Sequence, residues 1–196
     1  MNRAEKTKRQ VQAEETKTKL FQAAMRLLEK EGFDSITIRD IVREANVSIG
    51  TFYNYYETKR DVFCQTYQIA DAYFQDEVYP ELMQLPVEDR LPYFFDAYTD
   101  YNCMVTPLAL TKIIYHPDNK NFHRRNDYGM IPILIELVDQ VKEAAIFHTE
   151  EPSEEISQFF MVCLRGVVYD WCTCDGSYDL KEAIRQYSRK LMRVYS

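Results

Sequence analysis

Apolar residues recur along the first part of the chain with the spacing of an α-helix. Between residues 20 and 28 they fall on one helical face, at Leu20, Ala23, Ala24, Leu27 and Leu28. Gly32 predicts the end of this helix, since glycine commonly follows the last helical turn. All seven prolines lie at or after Pro80, so the strongest helix breaker is absent from this region.

A second, shorter helix and a sharp turn follow. The pattern predicts a helix from about Thr37 to Ala45, with either Ser35 or Thr37 as its N-cap. Asn46 then stands where the chain must turn, and asparagine tolerates the left-handed conformation. A third helix is predicted to begin near Ser48. Two short helices joined by a tight turn and braced by a preceding helix describe a helix-turn-helix.

The rest of the chain also has a helical pattern. Prolines punctuate segments of helical length after residue 80, and apolar stripes mark two last helices, 153–173 and 179–194, on either side of a turn at 175–177. No alternating strand pattern competes. We therefore predict an all-α protein of about nine helices, with an N-terminal three-helix helix-turn-helix domain.

The segment VSIGTFYNYYETKRDVF, residues 47–63, carries the candidate binding chemistry. Helical spacing turns Val47, Phe52 and Tyr56 inward and leaves the residues between them available to a partner. A glycine allows close backbone approach, and an exposed isoleucine can meet a thymine methyl group. Tyrosine hydroxyls and a lysine suit phosphate oxygens. We predict DNA contacts from Thr37, Ser48, Ile49, Gly50, Thr51, Tyr53, Asn54, Tyr55 and Lys59.

The charge distribution agrees with DNA binding by the N-terminal end alone. The net charge is −7, with +2 in residues 1–63 and −9 in residues 64–196. The acidic part should repel DNA, whereas the N-terminal part can approach it. Five scattered cysteines, no signal peptide and no long apolar run lead us to expect a cytoplasmic protein with reduced thiols and no membrane segment.

Residues 19–63, KLFQAAMRLLEKEGFDSITIRDIVREANVSIGTFYNYYETKRDVF, resemble the TetR-type transcriptional repressors. Residues 165–191 resemble the last two helices of that family, and Tyr55 stands where the family commonly has histidine. The resemblance implies a DNA-binding domain at 1–60, with a short polar N-terminal arm, and a ligand-binding and dimerisation domain at 61–196. It implies a homodimer that binds a palindromic double-stranded DNA operator and is released by a small-molecule effector.

Two groups of residues in the second domain are candidates for the effector and dimer sites. An aromatic stripe and a carboxylate projected into an apolar helical face give the predicted ligand pocket of Phe94, Tyr98, Tyr101, Asp170 and Trp171. The acidic surplus and the many tyrosines favour an apolar or cationic effector. The wide apolar surfaces of the last two helices predict a four-helix bundle between two chains, through Phe159, Cys163, Val167, Ile184, Tyr187 and Leu191.

Other arrangements give no catalytic or metal site. Asp96 and Asp100 share a polar helix edge, and the spacing of His116, Asp118 and His123 fits no common metal site. No phosphate-binding loop and no nucleophile–histidine–acid set is present, so we expect neither an enzyme nor a cofactor. Two alternatives stay open: an architectural DNA-binding protein without an effector, and a helical enzyme that carries a helix-turn-helix block.

Overall fold

The computed structural model describes residues 7–119 and 129–196. All regular structure in these residues is helical, which confirms the all-α prediction. The elements are α1 (Lys8–Glu31), α2 (Ile38–Ala45), α3 (Ile49–Tyr53), α4 (Lys59–Phe63), α5 (Thr66–Tyr73), π1 (Phe74–Val78), α6 (Tyr79–Leu82), α7 (Val87–Asp100), π2 (Tyr101–Val105), α8 (Leu108–Ile114), α9 (Met130–Glu143), α10 (Ser153–Thr173) and α11 (Leu180–Met192). The described residues hold thirteen helical segments rather than about nine. The number is higher partly because one continuous helix is divided into α5, π1 and α6, and another into α7 and π2.

The chain divides into two compact units, Met1–Gln65 and Thr66–Ser196. The boundary lies later than the predicted end of the first domain at residue 60. The difference arises because α4 packs against α1 and buries Val62 and Phe63 completely. A fourth helix is therefore part of the first unit.

Helix α1 begins well before the apolar stripe that predicted it. Thr7 forms a capping box with Gln10: the Gln10 amide donates to Thr7 Oγ1 at 3.3 Å, and the Thr7 amide donates to Gln10 Oε1 at 2.8 Å. Residues 8–19 are helical, so the helix begins twelve residues before the apolar stripe at Leu20. Their Lys, Gln, Glu and Ala residues have high helix propensity, which the apolar pattern does not report.

The remaining local predictions for the first unit are confirmed. Thr37 caps α2, Asn46 adopts φ 54° and ψ 48° in the left-handed region, Ser48 caps α3, and Thr58 forms a capping box with Asp61. The predicted face of α1 is buried together with the inner sides of α2, α3 and α4. The core of this unit comprises Leu20, Ala23, Ala24, Leu27, Leu28, Ile36, Ile41, Val42, Phe52, Val62 and Phe63.

The second unit is built around α7 and α10. Helix α7 packs against α9 and α11, and α10 packs against α8, α9 and α11. Aromatic rings fill much of this core: Phe95 and Phe160 meet edge to face at 5.6 Å, and Phe74 lies 5.1 Å from Phe94. Among the described residues, no helix is both long and apolar enough to cross a membrane.

Candidate nucleic-acid interface and effector site

Helix α3 is anchored by one face and exposed on the other. Phe52 is fully buried beneath it, whereas Ile49 is 45% exposed and Tyr53 is 56% exposed. Both are large side chains with apolar surface, and they lie four residues apart on one helical face. The sequence-based separation into an inner and an outer side of α3 is therefore confirmed for these three residues.

Ser48 and Thr51 fix the start of α3. Ser48 Oγ accepts a hydrogen bond from the Thr51 amide at 3.0 Å, and the two hydroxyl oxygens are 2.8 Å apart. Gly50, between them, is exposed, and an added Cβ would meet only Ser48 Oγ, at 3.7 Å. Packing within the chain therefore does not require glycine at position 50.

The residues that end α3 lie beside the surface of α1. Asn54 is exposed at the C-cap, and Tyr55 is half-buried with the Lys17 ammonium 5.8 Å from its ring centroid. Lys17 was missed as a candidate, although the positive charge of the first 20 residues was a signal for it. Tyr56 is inward as predicted: burial raises its pKa to about 12, and its hydroxyl donates to Gln65 Oε1 at 3.2 Å.

Lys59 has a structural role that the sequence did not predict. Its ammonium donates to the carbonyl oxygens of Phe33 and Ile36, at 2.8 and 2.9 Å, and lies 4.4 Å from the Phe33 ring centroid. These bonds tie the start of α4 to the α1–α2 turn. One of the three ammonium protons is left for a phosphate.

Thr37 is exposed, but its hydroxyl takes part in the cap of α2. The Asp40 amide donates to Thr37 Oγ1 at 3.2 Å, and Thr37 Oγ1 donates to Asp40 Oδ2 at 2.5 Å. Hydrogen bonds from Thr37 and the charge of Arg43 hold the pKa of Asp40 below its ordinary value. Thr37 therefore offers its backbone and methyl group to a partner more readily than its hydroxyl.

The four aromatic residues of the predicted ligand pocket are buried in the second unit. Phe94 packs on Phe74, Tyr101 donates to the Thr66 carbonyl oxygen at 2.9 Å, and Trp171 Nε1 donates to the Tyr178 carbonyl oxygen at 3.0 Å. Tyr98 lies with its hydroxyl 2.5 Å from that of Tyr115. Their assignment to the interior is confirmed, and each also has a packing role there.

The prediction that Asp170 is a buried carboxylate is wrong. Asp170 is exposed and accepts a hydrogen bond from the Tyr178 hydroxyl at 3.0 Å. The reason is that the buried arc of α10 is centred on Phe160, Leu164 and Trp171, which leaves Asp170 at the edge of the other side. A wide apolar stripe on a helix does not indicate which part of it faces the core.

Acidic side chains of this unit are paired at its surface. Asp96 accepts from Arg185 at 2.6 Å, Asp100 accepts from Lys181 at 2.8 Å, and Asp175 accepts from Lys112. These three carboxylates lie at the surface beside cations of their own chain, so they do not support the expectation of a cationic effector.

Buried polar side chains lie near the hydrogen-bonded pair of Tyr98 and Tyr115. The Asn119 amide donates to the Tyr67 hydroxyl at 2.9 Å and to the Ile114 carbonyl oxygen at 2.7 Å. Burial raises the pKa of Tyr98 to about 12, and the nearby Arg165 guanidinium acts in the opposite direction. Burial also holds the pKa of Tyr115 well above its ordinary value.

Helix α10 has a second apolar face that the described residues leave exposed. Phe159, Val162 and Tyr169 are exposed, with Val162 at 56%, and they follow one another at helical spacing. On α11, Tyr187 is 51% exposed and Leu191 is half-buried. These two helices therefore carry apolar surface beyond what the core uses.

Two of the predicted interface residues lie in the core instead. Ile184 is fully buried within its own chain and cannot contact a second copy. Val167 is buried at 8% exposure, and Cys163 is half-buried between the two faces. Ile184 is buried because α11 packs against both α7 and α10.

The described residues contain no group of three or more His, Cys, Asp or Glu side chains arranged for a metal ion. His116 Nδ1 lies 3.5 Å from Asp118 Oδ2 at the exposed end of α8. His123, the third member of the set considered from sequence, lies outside the described residues.

Comparisons with known proteins find similarity to transcriptional regulators. Residues 20–65 match the family model described as bacterial regulatory proteins, tetR family. The HTH-type transcriptional regulator AcrR of Shigella flexneri is 21% identical, with 98% of this chain and 94% of AcrR covered.

Two solved structures of FadR have a similar fold. Thermus thermophilus FadR, a TetR-family repressor in complex with lauroyl-CoA, gives a TM-score of 0.72 at 22% identity, covering 90% of this chain and 93% of FadR. Bacillus subtilis FadR in complex with stearoyl-CoA gives 0.65 at 14% identity, covering 90% and 96%. The helix-turn-helix of the first unit therefore matches the tetR family of bacterial regulatory proteins, and the chain shares its overall fold with the two FadR structures.

Proposed function

We propose that the protein is a dimeric transcriptional repressor that a small-molecule effector releases from a palindromic DNA operator. The observation that carries this proposal is the construction of α3. Ser48 caps it, Phe52 anchors it, and Ile49, Gly50 and Tyr53 remain exposed. A short helix with apolar side chains in water and a glycine without a packing role is suited to the major groove.

Different residues of this surface have different proposed roles. Ile49 and Thr51 contact base edges, Ile49 through a thymine methyl group, while Gly50 allows the helix to approach closely. Tyr53, Asn54 and Tyr55 contact phosphates or sugars, and Lys17 adds a positive charge beside Tyr55. Ser48 and Lys59 support the surface mainly by holding α3 and α4 in place.

The uncovered faces of α10 and α11 are the proposed dimer interface. Phe159, Val162, Tyr169 and Tyr187 provide its apolar surface, and the same patch on a second copy would cover it with two-fold symmetry. Two copies bring two α3 helices to a palindrome, which a single copy cannot recognise in full.

The effector is proposed to bind within the second unit, near the buried aromatic residues. Two FadR structures with this fold are complexes with lauroyl-CoA and stearoyl-CoA, which supports a ligand with a hydrocarbon chain. Phe94, Tyr98 and Trp171 supply apolar surface for such a chain. Asp170 has no place in this site, because it is exposed.

Genomic selection for bound DNA fragments, followed by footprinting, tests the proposal. A single protected palindrome at physiological salt is the expected result. Salt-sensitive binding of equal strength to every duplex would favour an architectural protein. A catalytic activity of the protein that is unchanged when Ser48, Ile49, Thr51 and Tyr53 are all replaced by alanine would favour an enzyme.

A further inference from the structure

Five exposed residues of α10 form a narrow stripe along that helix. They are Phe159, Val162, Gly166, Tyr169 and Thr173, and the steps between them are three, four, three and four residues. This alternation repeats every seven residues and keeps all five on one side of the helix. It is the spacing with which one helix packs along another in a coiled coil. We call these residues the α10 seam.

The seam is uncharged and largely apolar. Phe159, Val162 and Tyr169 are 38%, 56% and 45% exposed. The charged residues of the same stretch, Arg165 and Asp170, fall on either side of the stripe. An uncharged stripe with this spacing is typical of a helix face that a second helix covers.

The exposed surface approaches the size that a dimer needs. An aromatic side chain buries about 150–250 Å², so the exposed fractions of Phe159, Tyr169 and Tyr187 of α11 leave about 250 Å² uncovered. These three side chains alone supply roughly a third of the ~800 Å² that each partner buries in a stable interface. The exposed Val162 and Val194 add to it. A second copy of the chain therefore has enough surface to bind here.

Phe159, at one end of the seam, is held in its exposed position by its own chain. Its ring meets the Tyr195 ring edge to face at 6.3 Å, and Tyr195 is buried against Phe147 and Phe160. The His148 amide donates to the Tyr195 carbonyl oxygen at 2.6 Å, which fixes the segment after α11. A ring held in this way loses little conformational freedom when a partner covers it.

Gly166 lies at the middle of the seam. A Cβ built there meets no described atom within 4 Å, apart from its neighbours along α10. The residue is helical, and glycine is among the least favourable residues inside a helix because it loses the most conformational freedom. Packing within the described chain therefore does not require glycine at this position. A second backbone that approaches closely does require it, since any side chain would hold the two helices apart.

We propose that α10 crosses the α10 helix of a second copy of the chain at Gly166, and that this glycine sets the distance between the two protomers. The inference rests on the proposed function, which places the dimer interface on α10 and α11. It adds the point of closest approach and the residue that permits it. A two-fold axis through the middle of the seam brings Gly166 of one protomer to Gly166 of its partner. Val162 and Tyr169, on either side, then pack into the partner helix as knobs into holes.

Substitutions of Gly166 in the full-length protein separate assembly from folding. Sedimentation equilibrium gives the dissociation constant of the dimer. Gly166→Ala should raise this constant about tenfold and Gly166→Leu about a hundredfold, because the two-fold axis places each new side chain against its own copy. Helical content from circular dichroism should be unchanged or higher, since alanine and leucine favour a helix more than glycine does.

Glu154→Leu is the matched control. Glu154 is exposed on α10 but lies away from the seam, so the leucine should change the dissociation constant by no more than about twofold. Cysteine cross-linking gives a second measurement, since a disulfide joins only residues whose Cα atoms are within about 7 Å. With the exposed Cys174 replaced by serine, Gly166→Cys should cross-link two chains under mild oxidation, whereas Glu154→Cys should not.

A dimer that keeps its wild-type dissociation constant in Gly166→Leu refutes the crossing alone. Cross-linking that is equal at positions 154 and 166 also refutes it. A wild-type protein that is monomeric at every concentration measured refutes the dimer of the proposed function, and the crossing with it.

Discussion

At the scale of single residues, position 50 separates fold stability from DNA binding. Glycine in a helix costs about 1 kcal/mol relative to alanine, and the chain around Gly50 leaves room for a Cβ. The protein therefore carries a less stable residue where its own packing does not need one. A partner that approaches the α3 backbone explains the glycine.

Gly50→Ala should make the first unit more stable and the operator complex weaker. We expect a gain of about 1 kcal/mol in the free energy of unfolding, together with a loss of at least about tenfold in operator affinity from contact of the new methyl group with DNA. Thermal unfolding and gel-shift titration measure the two effects. Glu29→Ala on the exposed side of α1 is the control, and unchanged operator affinity in Gly50→Ala would place α3 outside the DNA interface.

Two serines on α10 provide a matched pair for the second unit. Ser157 is almost fully buried and its hydroxyl has no hydrogen-bond partner among the described residues, whereas Ser153 Oγ donates to Asp139 Oδ1 at 2.5 Å. Burial of a polar group without a partner costs about 1–3 kcal/mol. Ser157→Ala should therefore raise or preserve the melting temperature, and Ser153→Ala should lower it. The reverse order in thermal unfolding would contradict the absence of a partner for Ser157.

At the scale of elements, a lysine connects three helices of the first unit. The Lys59 ammonium bonds two carbonyl oxygens of the α1–α2 turn from the first residue of α4. These carbonyls lie beyond the end of α1 and at the start of the chain that enters α2, so the bonds fix the geometry of the helix-turn-helix. Lys59 therefore affects DNA binding through structure as well as through its charge.

Lys59→Ala should destabilise the first unit by about 2 kcal/mol, in the range measured for hydrogen bonds to charged groups. Operator affinity should fall for all sequences alike, because the substitution disturbs α3 and α4 together and removes a phosphate contact. Chemical unfolding and binding to operator and non-operator duplexes check both effects. Lys19→Ala on exposed α1 removes the same charge without the carbonyl bonds, and an equal loss of stability there would refute the structural role of Lys59.

Helix α10 shows how one element serves two surfaces. Met161, Val168 and Cys172 extend its buried side, while Val162 and Tyr169 extend its exposed side. The sequence predicts a helix that must be covered on both sides, and the structure assigns each residue to a side.

At the scale of the whole molecule, assembly depends on that exposed side. Val162→Asp should shift the protein from dimer to monomer, because two-fold symmetry places the new charge twice in an apolar interface. Sedimentation velocity at micromolar concentration measures the change, and operator affinity should fall with it. Met104→Asp alters an exposed apolar side chain of π2, outside the apolar faces of α10 and α11, and should stay dimeric. A wild-type protein that sediments as a monomer would rule out the proposed interface.

The sequence determined much of the local structure because local structure depends on nearby residues. Thr37, Ser48 and Thr58 cap helices through bonds that span three positions, and Asn46 takes the left-handed turn predicted for it. The inner and outer sides of α3 followed from helical spacing alone. The all-α class and the family match depend on the same local patterns.

Only the tertiary structure decided which partner each side chain has. The helical wheel placed Asp170 and Ile184 on apolar stripes. The buried arc of α10 leaves Asp170 exposed, and the packing of α11 against α7 and α10 buries Ile184. The carbonyl partners of Lys59 lie more than 20 residues away, and the paired hydroxyls of Tyr98 and Tyr115 join α7 to the end of α8. Long-range contacts depend on how whole helices pack, and the spacing of residues along one helix does not contain that information.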